Sequence, residues 1–395
     1  MSHRVRLFRV VVAFCAALVV MAATGCGGGR STAITPLAAP AADGQQVFRF
    51  ETFGDEQFWT NTLQMNQVVQ TKVDPTTALS VGLKVDADAL PAAVLAALQA
   101  GQLDLKSPAT TVALLKLNAV VGVKATVDAN NNVTSFGISC ALCHSTVDNR
   151  IAKGIGSRLD GWPNRDLNAG AIIALSPAVD AAHKAVYNSW GPGKYDPRFN
   201  EDGLNGPVLI PPAYGLAGVN LATYTGDGDV AYWNRYVAVT QMHGQGNFSD
   251  PRVGINVVSP VDLVTPKIPA LVAYELSLTT PAVPAPADPA AVARGAALFN
   301  GAAKCVTCHA APAFTDANLR LHTPAEVGQD LAYANRSATK EYRTTPLRAL
   351  ALHPPYFHDG GAATLTDVVN HYNTQLNLAL SAQQTSDLVA YLSTL

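Results

Sequence analysis

Two short runs of this chain carry residues spaced for chemistry: Cys140-Ala-Leu-Cys143-His144 and Cys305-Val-Thr-Cys308-His309. Each places two thiols two residues apart and an imidazole directly after the second. That spacing suits covalent haem attachment. Each thiol adds across one vinyl group, and the adjacent histidine reaches the iron as proximal ligand. The rival chemistry is zinc held by four cysteines or by a cysteine and histidine mix. The two pairs lie far apart in sequence and each brings its own histidine, which favours two separate haem sites. The reading is therefore two covalently bound haem c groups, attached at Cys140, Cys143, Cys305 and Cys308, with His144 and His309 on iron. A calcium ion is compatible with the chain, but no motif in the sequence shows one.

The far side of each iron decides between electron transfer and catalysis. A Met or His closes the iron, whereas an open or weakly held position admits a small ligand. Beyond the N-terminal run the only methionines are Met65 and Met242. The C-terminal part must then draw on His322, His353, His358, His371 or Tyr372. The part before it offers His183, Met242 and His243. Ordinary roles compete for all of these. His183 reads as a packing or surface histidine, His322 and His353 as satisfied loop histidines, and Trp233 as core or as an electron relay. Arg165, Arg235 and Arg348 could pair with haem propionates or simply face solvent.

The elements that must position these groups are partly legible. Asp55 to Gln70 and Ala89 to Ala100 read as helices, the second with Pro91 near its first turn. Val120 to Val127 and Val133 to Phe136 read as a hairpin around the Asn-rich turn Asp128 to Asn132, delivering the chain to the first motif. Residues 150–280 are rich in Gly, Pro and Asn, with few helical runs. Thr280 to Pro289 reads as a semi-rigid linker. Ala290 to Asn300 is a helix just before the second motif. Another runs from about Ser381 to the end, with Leu388, Tyr391, Leu392 and Leu395 at helical spacing. The two parts share CxxCH and no simple tandem repeat.

The N-terminus reads as an export signal: Arg4, Arg6 and Arg9, then 14 apolar residues from Val10 to Ala23. That run is shorter than the ~20 residues of a membrane span. Ala23-Thr-Gly-Cys26 resembles the bacterial lipobox, with Ala where Leu is usual, so Cys26 is the expected lipidation site. An ordinary cleaved signal is the alternative. With Cys15 in the signal, no cysteine remains for structural disulfides. Gly27 onward is Gly/Ala/Pro-rich and reads as a tether.

The run from Thr345 through Arg348, His353, Tyr356 and His358 to Leu365 resembles the C-terminal signature of bacterial di-haem cytochrome c peroxidases. The first motif, with Trp162-Pro-Asn-Arg165 after it, and Tyr232-Trp233-Asn-Arg235 are similar to that family as well. The resemblance implies that Tyr372 stands where most members carry a Met ligand, as in relatives that oxidise organic substrates. His371 is a competing ligand, and Trp233 becomes a candidate relay between haems. The chain departs from the family in two places. Ile155 to Gly161 has no distal histidine, and the catalytic Glu is not evident. The stretch 241–246 offers His243 and Gln245 instead. Residues 45–137 match nothing in the family pattern.

These readings combine into a mainly α fold with two cytochrome c-like haem domains, the N-terminal one enlarged by loops and a β-hairpin. The expected boundaries are a signal over 1–25, a tether over 26–44, the first haem domain over 45–280, a linker over 281–289 and the second domain over 290–395. The expected function is a periplasmic or cell-envelope peroxidase-like oxidoreductase. Electrons would pass from the C-terminal haem to a peroxide-binding N-terminal haem. Its partners would be a small cytochrome or cupredoxin donor, peroxide or an organic small molecule, and a membrane through the lipid anchor. The alternative is a lipid-anchored electron carrier with no substrate of its own. The formal net charge of -2 and the lack of a basic stripe exclude nucleic acid.

Overall fold

A computed structural model describes residues 39–395. The N-terminal apolar run and Cys26 lie outside the described residues. Among those described, no helix is long and apolar enough to cross a membrane.

The scaffold is mainly helical, with five small two-stranded sheets. Its main feature is one kind of helix crossing used twice. The first helix, Ala39–Phe50, packs on the helix Ile268–Ser277. Gly44 makes the approach possible, because a Cβ there would collide with the Ala270 carbonyl. One turn on, Phe48 meets Tyr274 edge-on at 5.5 Å. The second crossing joins Pro289–Asn300 to Ala382–Leu392. Gly295 lies against the Asp387 carbonyl, and Phe299 meets Tyr391 edge-on at 5.2 Å. Arg294 clamps Asp387 with two bonds of 2.8 and 2.9 Å. The expectation of no repeat is thereby corrected. Gly44 to Phe48 and Gly295 to Phe299 have the same spacing, and Leu271-Val-Ala-Tyr274 repeats as Leu388-Val-Ala-Tyr391.

Two further expectations change. Helix occupies residues 39–44, where a tether was expected. Alanine favours helix, and Ala41 and Phe48 are buried in the crossing. Residues 150–280 hold the helices Ala169–Ala174, Ala181–Ser189, Val230–Tyr236 and Ile268–Ser277. Asp180 and Asp229 cap two of them through backbone N–H bonds, which a reading of Gly and Pro content overlooks.

Residues between the first helix and the first motif supply most of a core around Trp59, Met65, Val68, Val112, Leu115 and Phe136, which Leu142, Ile155 and Leu167 complete. The helix expected from Asp55 to Gln70 is broken. A π-helical turn, Gln57–Thr62, precedes the helix Met65–Lys72, because Gln64 takes a left-handed φ of 56°. The helix near Pro91 runs Ala92–Gln99. The hairpin forms from Val123–Val127 and Val133–Ile138 in antiparallel register, Val123 opposite Ile138. Asp128 holds its turn by accepting N–H bonds from Asn130 and Asn132, both 2.8 Å. The hairpin ends against the first motif. Ser139 N–H donates to the Gly122 carbonyl at 2.9 Å. Gly122, at φ 74°, allows Leu142 to approach so closely that a Cβ would strike its backbone nitrogen.

Candidate haem sites

The second CxxCH follows the Pro289–Asn300 helix directly. Lys304, at φ 57°, turns the chain into the motif. His309 Nδ1 lies 2.9 Å from the Phe314 carbonyl and donates to it, which leaves Nε2 free for a metal. Cys305, Cys308 and His309 open on a cavity of about 260 Å³. Phe299, Leu365, Val369, Leu388 and Leu392 supply apolar wall, so both helices of the C-terminal crossing face it.

Three arginines also line this cavity: Arg165, Arg343 and Arg348. Burial lowers the pKa of each, Arg343 to about 10. Nε and Nη1 of Arg165 and Nε of Arg343 are buried with no partner. An unpaired buried cation is costly. An apolar slot, a histidine with free Nε2, two thiols and unpaired guanidinium groups together fit haem c, whose propionates would satisfy the arginines.

Tyr372, in the capped helix Leu365–Gln375, lines the same cavity. Burial pushes its phenol up to about 12. His371 turns away, its Nε2 2.9 Å from the Val327 carbonyl. The helix thus presents its two neighbouring candidates to different surroundings, and Tyr372 is the one beside Cys305 and Cys308.

At the first motif, His144 Nδ1 donates to the Pro211 carbonyl at 3.1 Å, again leaving Nε2 free. Cys140, Cys143 and His144 are only partly covered. Burial nevertheless pushes the Cys143 thiol up to about 12 and the His144 ring down to about 4. Tyr195 and Cys143 pack against the same apolar core. The Tyr195 hydroxyl donates to Gln241 Oε1 at 2.8 Å. Asn200 Nδ2 also donates to Gln241 Oε1, at 3.3 Å, and reaches His243 Nε2 at 3.4 Å. His243 takes a left-handed φ of 62° and stacks on Phe58 at 3.7 Å. Burial lowers its pKa and keeps it neutral.

The other sequence candidates separate. Gln245 lies away from this group, its backbone bonded to Phe53 and Leu263. Trp233 stacks on Tyr236 at 5.0 Å, in the core that also packs Cys140. His183 bonds the exposed Asp180. His322 is clamped between Asp316 and Glu326. His353 accepts Arg165 Nη2 at its carbonyl, 3.1 Å. Arg235 is exposed. Among the described residues the only His/Cys/acid cluster able to hold a metal is Cys308, Asp316 and His322. The four cysteines form no such cluster together.

One short segment stands between the sites. Leu209 N–H donates to the His358 carbonyl at 2.7 Å, and Pro211 holds His144. Pro211, Pro212 and Tyr214 form wall of the second cavity. Sequence reasoning missed this segment, because a backbone carbonyl has no residue signature. It also missed Tyr195, Gln241 and the buried acids Asp55 and Glu275. Only Glu275 left a trace, standing where the repeated Leu-Val-Ala-Tyr run has Leu392.

Residues 292–395 match the cytochrome c family. The methylamine utilization protein MauG of Methylorubrum extorquens is 34% identical over 119 residues, 26% of this chain and 33% of that protein. The cytochrome c551 peroxidase of Nitrosomonas europaea is 34% identical over 108 residues, 25% of this chain and 32% of that protein. Over these stretches the chain is similar to MauG and to cytochrome c peroxidases. The cytochrome-c peroxidase IdrP1 of Denitromonas iodatirespirans adds 28% identity over 181 residues, 32% of this chain and 48% of that protein. The chain spans about a third of the first two relatives' length.

Proposed function

We propose that this chain is an exported di-haem oxidoreductase that reduces peroxide at its N-terminal site with electrons received at its C-terminal site. The supporting observation is that both motif histidines commit Nδ1 to a backbone carbonyl, Pro211 and Phe314, and keep Nε2 for iron. When bound, haem supplies one-electron storage at the second site and cleavage of the peroxide O–O bond at the first.

The chain's own residues divide the work. Cys305, Cys308 and His309 would hold the second group, in the cavity that Tyr372 also lines. Arg165, Arg343 and Arg348 would neutralise its carboxylates. Cys140, Cys143 and His144 hold the first. His243 is kept neutral and can take a proton from incoming peroxide, with Asn200, Gln241 and Tyr195 orienting the polar side of that site. Trp233, stacked on Tyr236, relays electrons. Gln245 supports the His243 loop through its backbone. A small cytochrome or cupredoxin is the donor, and Cys26 carries a lipid that holds the protein to the periplasmic face of a membrane.

Purified full-length protein should show two haems by mass and oxidise two equivalents of reduced donor per peroxide. Haems that leave peroxide unreacted would refute the peroxidase reading. Replacing Tyr372 by Met should raise the midpoint potential of the second haem, since Met/His ligation favours the reduced iron. An unchanged potential in a redox titration would remove Tyr372 from the iron.

A further inference from the structure

The second cavity has a wall that the proposed chemistry does not use. Tyr224, Tyr342 and His358 all line it, as do Cys305, Cys308 and His309. His358 sits in a cage of three phenols. Tyr342 lies 4.9 Å from its ring, Tyr333 stacks on it at 5.2 Å, and Tyr224 approaches edge-on at 6.3 Å. Tyr333 and Tyr342 are buried.

Tyr342 differs from its neighbours in its proton partner. Its hydroxyl donates to the Asp330 carbonyl at 2.8 Å and lies 3.3 Å from Asp330 Oδ2 and from His358 Nε2. The same carboxylate oxygen is paired with His358 Nε2. The other side of His358 faces Gln329 Oε1 at 3.2 Å. The Asp330 side chain is 46% exposed, so a proton that reaches it can leave to water. The phenol itself is buried against the cavity. Tyr333, by contrast, has an arginine beside it, with the Arg198 guanidinium 6.0 Å from its ring. A cation there opposes loss of an electron.

We propose that Tyr342 is a redox-active residue, a tyrosine on the cavity wall that is oxidised to a neutral radical with Asp330 taking its proton. This rests on the peroxidase reading above, which supplies peroxide as the oxidant. The step balances. The Tyr342 O–H bond breaks, the proton goes to the Asp330 carboxylate, and one electron goes to the site at His309 after that site has given its own electrons to the peroxide-reducing site at His144. Each peroxide takes two electrons and two protons to give two waters, so two such electrons, or one with one from the donor, complete a turnover. Oxidation of a phenol is far easier when the proton leaves with the electron, and Asp330 is the carboxylate placed to receive it. Burial and the nearby Asp330 charge raise the Tyr342 pKa and keep the phenol protonated at rest. A radical here would sit between the haem site and the surface at Asp330. There it could take an electron from an oxidisable organic molecule too large to enter the cavity.

The test uses the full-length, haem-loaded protein, mixed with hydrogen peroxide, frozen, and examined by electron paramagnetic resonance. A tyrosyl signal is expected that narrows when the protein carries ring-deuterated tyrosine. Tyr342→Phe should lose that signal while the haem optical spectrum still responds to peroxide. Asp330→Asn, which leaves the ring cage intact, should diminish it as well. Mass spectrometry after a radical trap should place the adduct on Tyr342. An undiminished signal in Tyr342→Phe, or no tyrosyl signal in native protein whose haems respond, overturns the assignment and leaves the peroxidase reading standing. Haems that do not respond to peroxide overturn both.

Discussion

Two buried acids flank the first CxxCH motif. Asp55 and Glu275 both lie close enough to Cys140 to raise its thiol pKa. Asp55 is fully buried, accepts the Ile138 N–H at 3.2 Å, and is pushed up to about 9, mainly by burial. Burial pushes Glu275 up to about 7, against a 2.6 Å bond from Asn234. A raised carboxyl pKa means that the unfolded chain gives up its proton first. Stability therefore falls as pH rises from the ordinary value to the raised one, and levels off above it. For Glu275 that window runs from 4.5 to about 7. Replacing Glu275 by Gln should stabilise the protein by about 3 kcal/mol near pH 8 and leave it unchanged near pH 4. Denaturant midpoints at the two pH values check this. A gain of equal size at both would show that packing, not ionisation, is responsible. Neither acid was nominated from sequence, because burial is a property of the fold.

The twice-used helix crossing carries a prediction at the scale of elements. Both crossings depend on a glycine facing a carbonyl, Gly44 on Ala270 and Gly295 on Asp387. Alanine favours helix, so either Gly→Ala change in an isolated helix would stabilise it. In the crossing the sign should reverse. Gly295→Ala and Gly44→Ala should each cost about 1–3 kcal/mol, the usual penalty for overpacking. Thermal unfolding reads it directly, and an unchanged or higher midpoint would show that the helices part without strain. The C-terminal helices were legible because their signals are local: Asp288 and Pro289 start one, and Ser381 with Gln384 starts the other. The Ala39–Phe50 helix was not, because its partner lies more than two hundred residues away in the sequence. Its Gly and Ala content reads locally as a tether.

At the scale of the molecule, a buried ionic network ties the segment before the linker to the segment after it. Arg336 pairs with Asp196 at 2.9 Å and Asp202 at 2.7 Å, and also donates to the Leu204 carbonyl. Asp196 is fully buried. Nearby, Asp227 pairs with Arg198 at 2.6 Å and accepts the Ala338 N–H at 2.8 Å. Arg336→Met leaves Asp196 without its cation, a change that typically costs about 3–5 kcal/mol. Denaturation of that variant should separate into two transitions, because the lost contacts join parts with distinct cores. A single transition with an unshifted midpoint would argue that the network does not couple them.

The reading of haem attachment came from the sequence alone. Two thiols and an imidazole at fixed spacing define haem attachment wherever the chain places them, since the reaction needs only local reach. The hairpin leading to Cys140 was legible for the same reason, through its alternating strands and the Asp128 turn. What stands across each iron was not. His371 and Tyr372 are neighbours, and only the packing of their helix sends one to the Val327 carbonyl and the other into the cavity. His243 and Gln245 looked equivalent, yet the left-handed turn at His243 separates them. The carbonyls of Pro211 and Phe314 that orient His144 and His309 carry no residue signature. Tertiary structure decided these because each depends on contacts between distant segments, where a side chain's role is set by what it faces.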